Sequence, residues 1–121
     1  MTRFVEFTVY GKPLSMNHAY PTNRSGRRHL SATAKAYKDN IGWEAKSAMR
    51  GQKYFTEAII EIHFFFADQR TDTNNCIKLV IDAMQKIVYP NDGKNIIEEH
   101  YYRHIDKLNP RMEIKVSQRI S

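Results

Sequence analysis

The densest run of chemically capable side chains is Asp68-Gln69-Arg70-Thr71-Asp72-Thr73-Asn74-Asn75. Lys78 and Asp82 follow at helical spacing, and Asp92 comes ten residues later. Carboxylate and amide oxygens are hard ligands, and a few of them suit Mg²⁺, which keeps several waters and phosphate oxygens in its shell. Such an ion activates water and neutralises charge building on a phosphate. A neighbouring ammonium, here Lys78, stabilises the same charge. The run therefore fits phosphodiester cleavage, with Asp72 and Asp92 as metal-binding carboxylates and Asn75 and Asp82 in support, while Asn74, Lys78 and Asp82 fall along one flank of a helix. Each residue also has a plainer role. Asp72 stands where a helix N-cap is expected, and Asp92 before Gly93 where a turn favours aspartate. Lys78 and Asp82 make an i,i+4 surface pair, and Asn75 can satisfy local backbone groups. His63, His100 and His104 do not have zinc-site spacing and read as sheet-surface or core residues. Glu98 and Glu99 read as solvated, with an approach to the metal as the alternative.

The elements that must position these residues are legible from periodicity. Residues 4–10 alternate as a strand, with Val5, Phe7 and Val9 on one face. Residues 12–31, rich in Asn, Ser, Pro and Gly, read as a long loop of the functional or mobile kind. Ser31 or Thr33 caps a helix that runs to about Met49 and ends at Gly51, with Tyr37, Ile41, Ala45, Ala48 and Met49 as its buried stripe. Residues 57–66 read as a strand burying Ala58, Ile60, Ile62, Phe64 and Phe66. A second helix carries Ile77, Val80, Ile81, Met84 and Val88 at i, i+3, i+4, i+7 and i+11. Its length would be about 22 Å, placing Asp72 and Asp92 at opposite ends. They meet only if the chain folds back after Val88 or a second subunit supplies one of them. Strands follow at 96–105 and 111–118, joined near Asn109-Pro110. The order β-α-β-α-β-β describes an α+β fold, with helices packed on a mixed sheet and residues 1–121 forming one domain.

The bulk numbers agree with a soluble globular chain. Its 121 residues are 41% hydrophobic and 26% charged, and 19 Lys plus Arg against 13 Asp plus Glu give a net charge of +6. The pI near 9.5 favours an anionic partner, most often nucleic acid. Cys76 is the single cysteine, so intramolecular disulfides and four-cysteine zinc sites are excluded and a reducing, cytoplasmic setting fits. The start Met1-Thr2-Arg3-Phe4 lacks a signal peptide's apolar run, and the apolar stretch 58–67 is too short to span a bilayer. No membrane partner is expected.

Taken in order, these segments resemble the RusA family of Holliday-junction endonucleases over nearly the whole chain. Pro13, Asn17 and Tyr20 are similar to its P-x-x-N-x-x-Y segment. Arg28-His29-Leu30-Ser31 followed by Ala36-Tyr37-Lys38-Asp39-Asn40 resembles its basic loop and first helix. Asp72-Thr73-Asn74-Asn75-x-x-Lys78-x-x-x-Asp82-Ala83 resembles its D-x-D-N-x-x-K-x-x-x-D-A core, and Asn91-Asp92 its later D-D pair. The resemblance implies a bacterial or phage-encoded homodimer that binds four-way junction DNA and makes paired symmetric nicks with Mg²⁺. It implies a metal held at Asp72, Asn74 and Asp92, with Lys78 as the essential lysine. The family has aspartate where this chain has Asn74. A neutral amide weakens metal binding and water activation, and three explanations stay open. These are a site completed by Asp82 or a glutamate, a cleavage-poor relative, and a deliberate inactivating substitution.

For DNA contact the candidates are Lys12, Arg24, Arg27, Arg28, Lys35, Lys38 and Arg70, binding phosphates without sequence preference, against a solvated basic face as the alternative. Tyr20 and Tyr37 are candidate stacking residues, with Tyr37 better placed in the core. Besides a junction-resolving nuclease, three readings compete. One is a branched-DNA-binding protein impaired in catalysis, another a nuclease for other branched nucleic acids, and the third a basic assembly protein.

Overall fold

The computed structural model describes residues 3–14, 31–70 and 73–120. The elements run β1 (Phe4–Tyr10), α1 (Ala32–Met49), β2 (Ala58–Phe66), α2 (Asn74–Met84), the single-turn α3 (Asp92–Asn95), β3 (Ile96–Ile105) and β4 (Arg111–Gln118). This is the expected α+β order on a mixed sheet, with one short helix added. Most of the expected 12–31 loop lies outside the described residues, as do Arg24, Arg27, Arg28, Tyr20 and Asp72. The side chain of Asn75 lies outside them too.

The four strands are ordered β1-β4-β2-β3. β4 pairs antiparallel with both β1 and β2, whereas β2 and β3 run parallel. A parallel pair cannot be joined by a tight hairpin, so the chain between β2 and β3 must cross over. That crossover contains α2 and α3, and therefore Lys78, Asp82 and Asp92.

One sheet face is apolar and covered. Ala58, Ile60, Ile62, Phe64 and Phe66 of β2 are buried in alternation, as are Met112, Ile114 and Val116 of β4 and Val5 and Val9 of β1. They join Ile41, Ala45 and Met49 of α1 and Val80, Ile81 and Met84 of α2 in one core. Each such aliphatic side chain contributes roughly 1.5–3 kcal/mol by leaving water. Phe7, Tyr37 and Ala48 are partly buried against that core. Burial pushes the Tyr37 phenol up, and its hydroxyl lies 3.7 Å from the Met112 sulfur, as befits a core residue. The opposite face carries His63, stacked on Tyr102 at 4.5 Å and on His104 at 5.0 Å, so these histidines are sheet-surface residues.

α1 starts where expected, with the Ser31 hydroxyl accepting from the Ala34 amide at 3.1 Å. It ends in a left-handed pair, Arg50 (φ 50°) and Gly51 (φ 75°). Among the described residues no helix is long and apolar enough to cross a membrane.

Candidate active site

α2 forms because its apolar residues return on one side: Cys76, Leu79, Val80, Ile81, Ala83 and Met84 are buried, and Ile77 is partly buried against the core. The residue at its cap position is Thr73, which makes no side-chain capping bond, and the Asp72 expected there lies outside the described residues. Asn74 opens the helix and is exposed. One turn on, the Lys78 ammonium stands 3.4 Å from the Asp82 carboxylate, with Lys78 64% and Asp82 26% exposed. The i,i+4 pairing expected from spacing is thus present. A pair this open contributes only a few tenths of a kcal/mol, so Lys78 is free to swing to another anion.

The helix ends sooner than its apolar pattern. It stops at Met84 instead of reaching Val88, because Gln85 is already extended (φ −64°, ψ 134°) and Lys86 after it is left-handed (φ 66°), and neither conformation continues an α-helix. Val88 nonetheless fits the helical pattern because the turn after α2 folds back into the same core, where Val88 and Tyr89 are fully buried. The Lys86 amide donates to the Tyr89 carbonyl at 2.6 Å, and the Tyr89 hydroxyl donates to the Ile81 carbonyl at 2.6 Å. That hydroxyl satisfies one of the carbonyls that a helix end leaves without an amide.

This reversal fixes Asp92. Its amide donates to the Gln85 side-chain oxygen at 3.2 Å. The Asn91 side chain caps α3 by accepting from the Lys94 amide at 3.2 Å, and Asn95 donates to the Thr56 carbonyl at 3.1 Å. Asp92 is therefore the first residue of a small pinned helix instead of a plain turn residue. The chain does turn back after α2, but it delivers Asp92 to the C-terminal end of that helix, away from the end that Asn74 opens.

Three carboxylates converge electrostatically there. Burial is the largest cause pushing the Tyr89 phenol up, followed by Asp92, the Tyr101 phenol, Asp82 and Glu99. Glu99 accepts from the Tyr101 hydroxyl at 2.7 Å, and burial followed by that bond pushes Tyr101 up as well. Glu99 thus belongs to this corner, while Glu98 lies 3.6 Å from His100 instead. The 11-residue α2 spans about 16 Å, so Asn74 and the Gln85–Asp92 contact stand at opposite ends. Asp82, Asp92 and Glu99 offer the hard oxygens a divalent ion such as Mg²⁺ prefers. Among the described residues, however, no three His, Cys, Asp or Glu come close enough to hold a metal by themselves. The donor chemistry fits; a full set needs oxygens from elsewhere.

Of the expected DNA contacts, Lys12, Lys35 and Arg70 are exposed and Lys38 is half-buried. The Arg70 amide donates to Asp68 at 2.9 Å. Two residues that sequence reasoning passed over belong near this region. Gln85, which holds the Asp92 amide, gave no signal because its role depends on the chain reversal. Trp43, exposed on α1, was visible as a large aromatic residue off the buried stripe.

A family model described as endodeoxyribonuclease RusA matches residues 11–117. The chain is similar to the crossover junction endodeoxyribonuclease RusA of Escherichia coli strain K12, being 29% identical over 107 residues that cover 88% of each chain. The protein of the same name from Shigella sonnei strain Ss046 is 29% identical over the same extent. That of Enterobacteria phage 82 is 28% identical, again over 88% of each chain.

Proposed function

Because the chain belongs to the RusA endodeoxyribonuclease family, we propose that it resolves four-way DNA junctions by paired symmetric nicks, as a Mg²⁺-dependent homodimer. The observation that carries this reading is the crossover itself. A single connection between parallel strands holds Asp72, Asn74, Lys78 and Asp92, and the Gln85 contact ties the last of these to the end of α2.

Asp72, Asn74 and Asp92 would hold the ion, with Asp82 and Glu99 as neighbouring carboxylates. When bound, the ion supplies a low-pKa water and neutralises charge on the phosphate. Lys78 leaves its weak pair with Asp82 to meet the phosphate oxygen on which charge develops. Lys12, Lys35, Lys38, Arg70 and the arginines 24, 27 and 28 hold the flanking backbone. The two ends of α2 lie too far apart for one ion, so in this reading a second subunit supplies one of the carboxylates. A two-fold assembly also matches a junction cut twice. The neutral Asn74 amide keeps an oxygen in place and removes a charge, which lowers metal affinity.

The deciding experiment uses a labelled four-way junction and a duplex of matched sequence, with and without Mg²⁺, for the protein and for Asn74→Asp. Paired nicks in the junction alone, faster with Asn74→Asp, are expected. Equal cutting of the duplex removes junction selectivity, and an unchanged or slower Asn74→Asp rate means other residues build the site. Asn74 also gives the cleavage-poor reading its support: tight junction binding with no cutting by either form would favour it.

A further inference from the structure

Trp43 is 67% exposed on α1, two residues from buried Ile41 and so on a side of the helix turned away from the core. Beside it runs an open groove of about 380 Å³ between α1 and the end of α2. The floor is apolar and close-packed. A Cβ on Gly42 would lie 3.2 Å from the Ile87 side chain, so the turn after α2 rests directly on α1. Lys38 and Lys46 line the same groove, and the Lys46 ammonium lies 5.8 Å from the indole ring centre. Asp39 and Asp82 also line the groove, but Asp82 already faces Lys78. The far wall includes Gln85, the residue that holds Asp92. An aromatic plane with one ammonium beside it and a second lining the same groove, continuous with the candidate site, matches one ligand class: a base with a free π-face on a phosphate backbone.

We propose that Trp43 is a stacking platform for a nucleobase that has left the double helix at a branch point, with Lys38 and Lys46 on its flanking phosphates. The proposal rests on the nuclease reading and adds to it the means by which branched DNA is told from linear duplex. Stacked bases in a duplex have both faces covered, so only a base freed at a crossover can lie on the indole. Stacking asks for no particular base, so this selectivity would be for structure and not for sequence.

Trp43 is the only tryptophan of the chain, so emission excited at the long-wavelength edge, where the tyrosines do not absorb, reports on it alone. The full-length protein is titrated in EDTA with a four-way junction and with a matched duplex, while a dye on the DNA reports binding independently. The junction should quench Trp43 in step with binding and shield it from iodide, and the duplex should do neither. Trp43→Ala should weaken junction binding roughly 5- to 100-fold, and Trp43→Phe should stay within a few-fold of the parent. Junction binding with unchanged emission, or quenching by duplex and junction alike, overturns the stacking role and leaves the nuclease reading intact. Absence of binding to any DNA overturns both. Iodide shielding that grows with protein concentration in the absence of DNA would assign the surface to self-association and overturn the proposal.

Discussion

Two corners of the molecule collect charge and settle it differently. At the β3–β4 turn, Arg111 donates to Asp106 at 2.8 Å, to Glu113 at 2.9 Å and to the Asn109 carbonyl at 2.9 Å. Its guanidinium also lies 3.7 Å from the centre of the Phe65 ring. The Arg111 hydrogen bond holds the Asp106 carboxyl below its usual range, and the bonds to Asp106 and Glu113 push Arg111 further up. At the α2–α3 corner, Asp82, Asp92 and Glu99 act together on Tyr89. Lys78 reaches only Asp82, and among the described residues no cation stands within ion-pair distance of Asp92. The first corner answers each charge from within the chain. Among the described residues the second leaves Asp92 and Glu99 without an ion-pair partner, which is the opening that the proposed metal ion and phosphate would fill. A closed ion cluster is a structural device; an open one is a candidate site.

The largest expected effect is at the open corner. Lys78→Met should slow junction cleavage by roughly 10²–10³-fold with junction binding retained, measured on the labelled junction. Rates within a few-fold of the parent would remove the lysine from the chemistry and weaken the contrast. At the closed corner, Arg111→Met should do the reverse, lowering the melting temperature while leaving the cleavage rate per folded molecule unchanged. Its pH dependence follows from Asp106, whose folded pKa is depressed. The stabilisation is complete above about pH 4, where the unfolded carboxyl is ionised. It is lost as the pH falls through the lowered folded value, so the two melting curves should converge in acid. Tyr89→Phe removes the bond to the Ile81 carbonyl in a buried place and should cost about 1–2 kcal/mol in urea unfolding. Asn91→Ala, which uncaps the single-turn α3, should cost only ~0.5–1 kcal/mol, with the loss of cleavage exceeding the loss of stability if α3 exists to aim Asp92.

Much of the fold was legible because a half-buried strand writes its two faces into alternate residues. Val5 and Val9, the even-numbered residues 58–66, and Met112, Ile114 and Val116 all sit where that alternation puts them. The end of α2 was misread for a physical reason. Val88 keeps the helical interval to Met84, but Lys86 has already left the helix, and the turn packs into the same core. Strand order was not legible, since pairing β2 with β3 depends on partners distant in sequence. At the site, the Lys78–Asp82 pair followed from spacing, whereas the approach of Asp92 to Gln85 required the chain reversal. Trp43 was overlooked because periodicity reports what is buried, and this residue matters by being left out.

The crossover between β2 and β3 sets the order in which this molecule can become competent. Parallel strands register only after the intervening chain has closed a long loop, a late event in folding compared with local helix formation. Basic surface on α1 is available as soon as that helix forms, but Asp92 is aimed only when α3 docks and β3 joins the sheet. The corner that holds Asp92 is therefore among the last parts of the molecule to take shape, later than the local turns of α1.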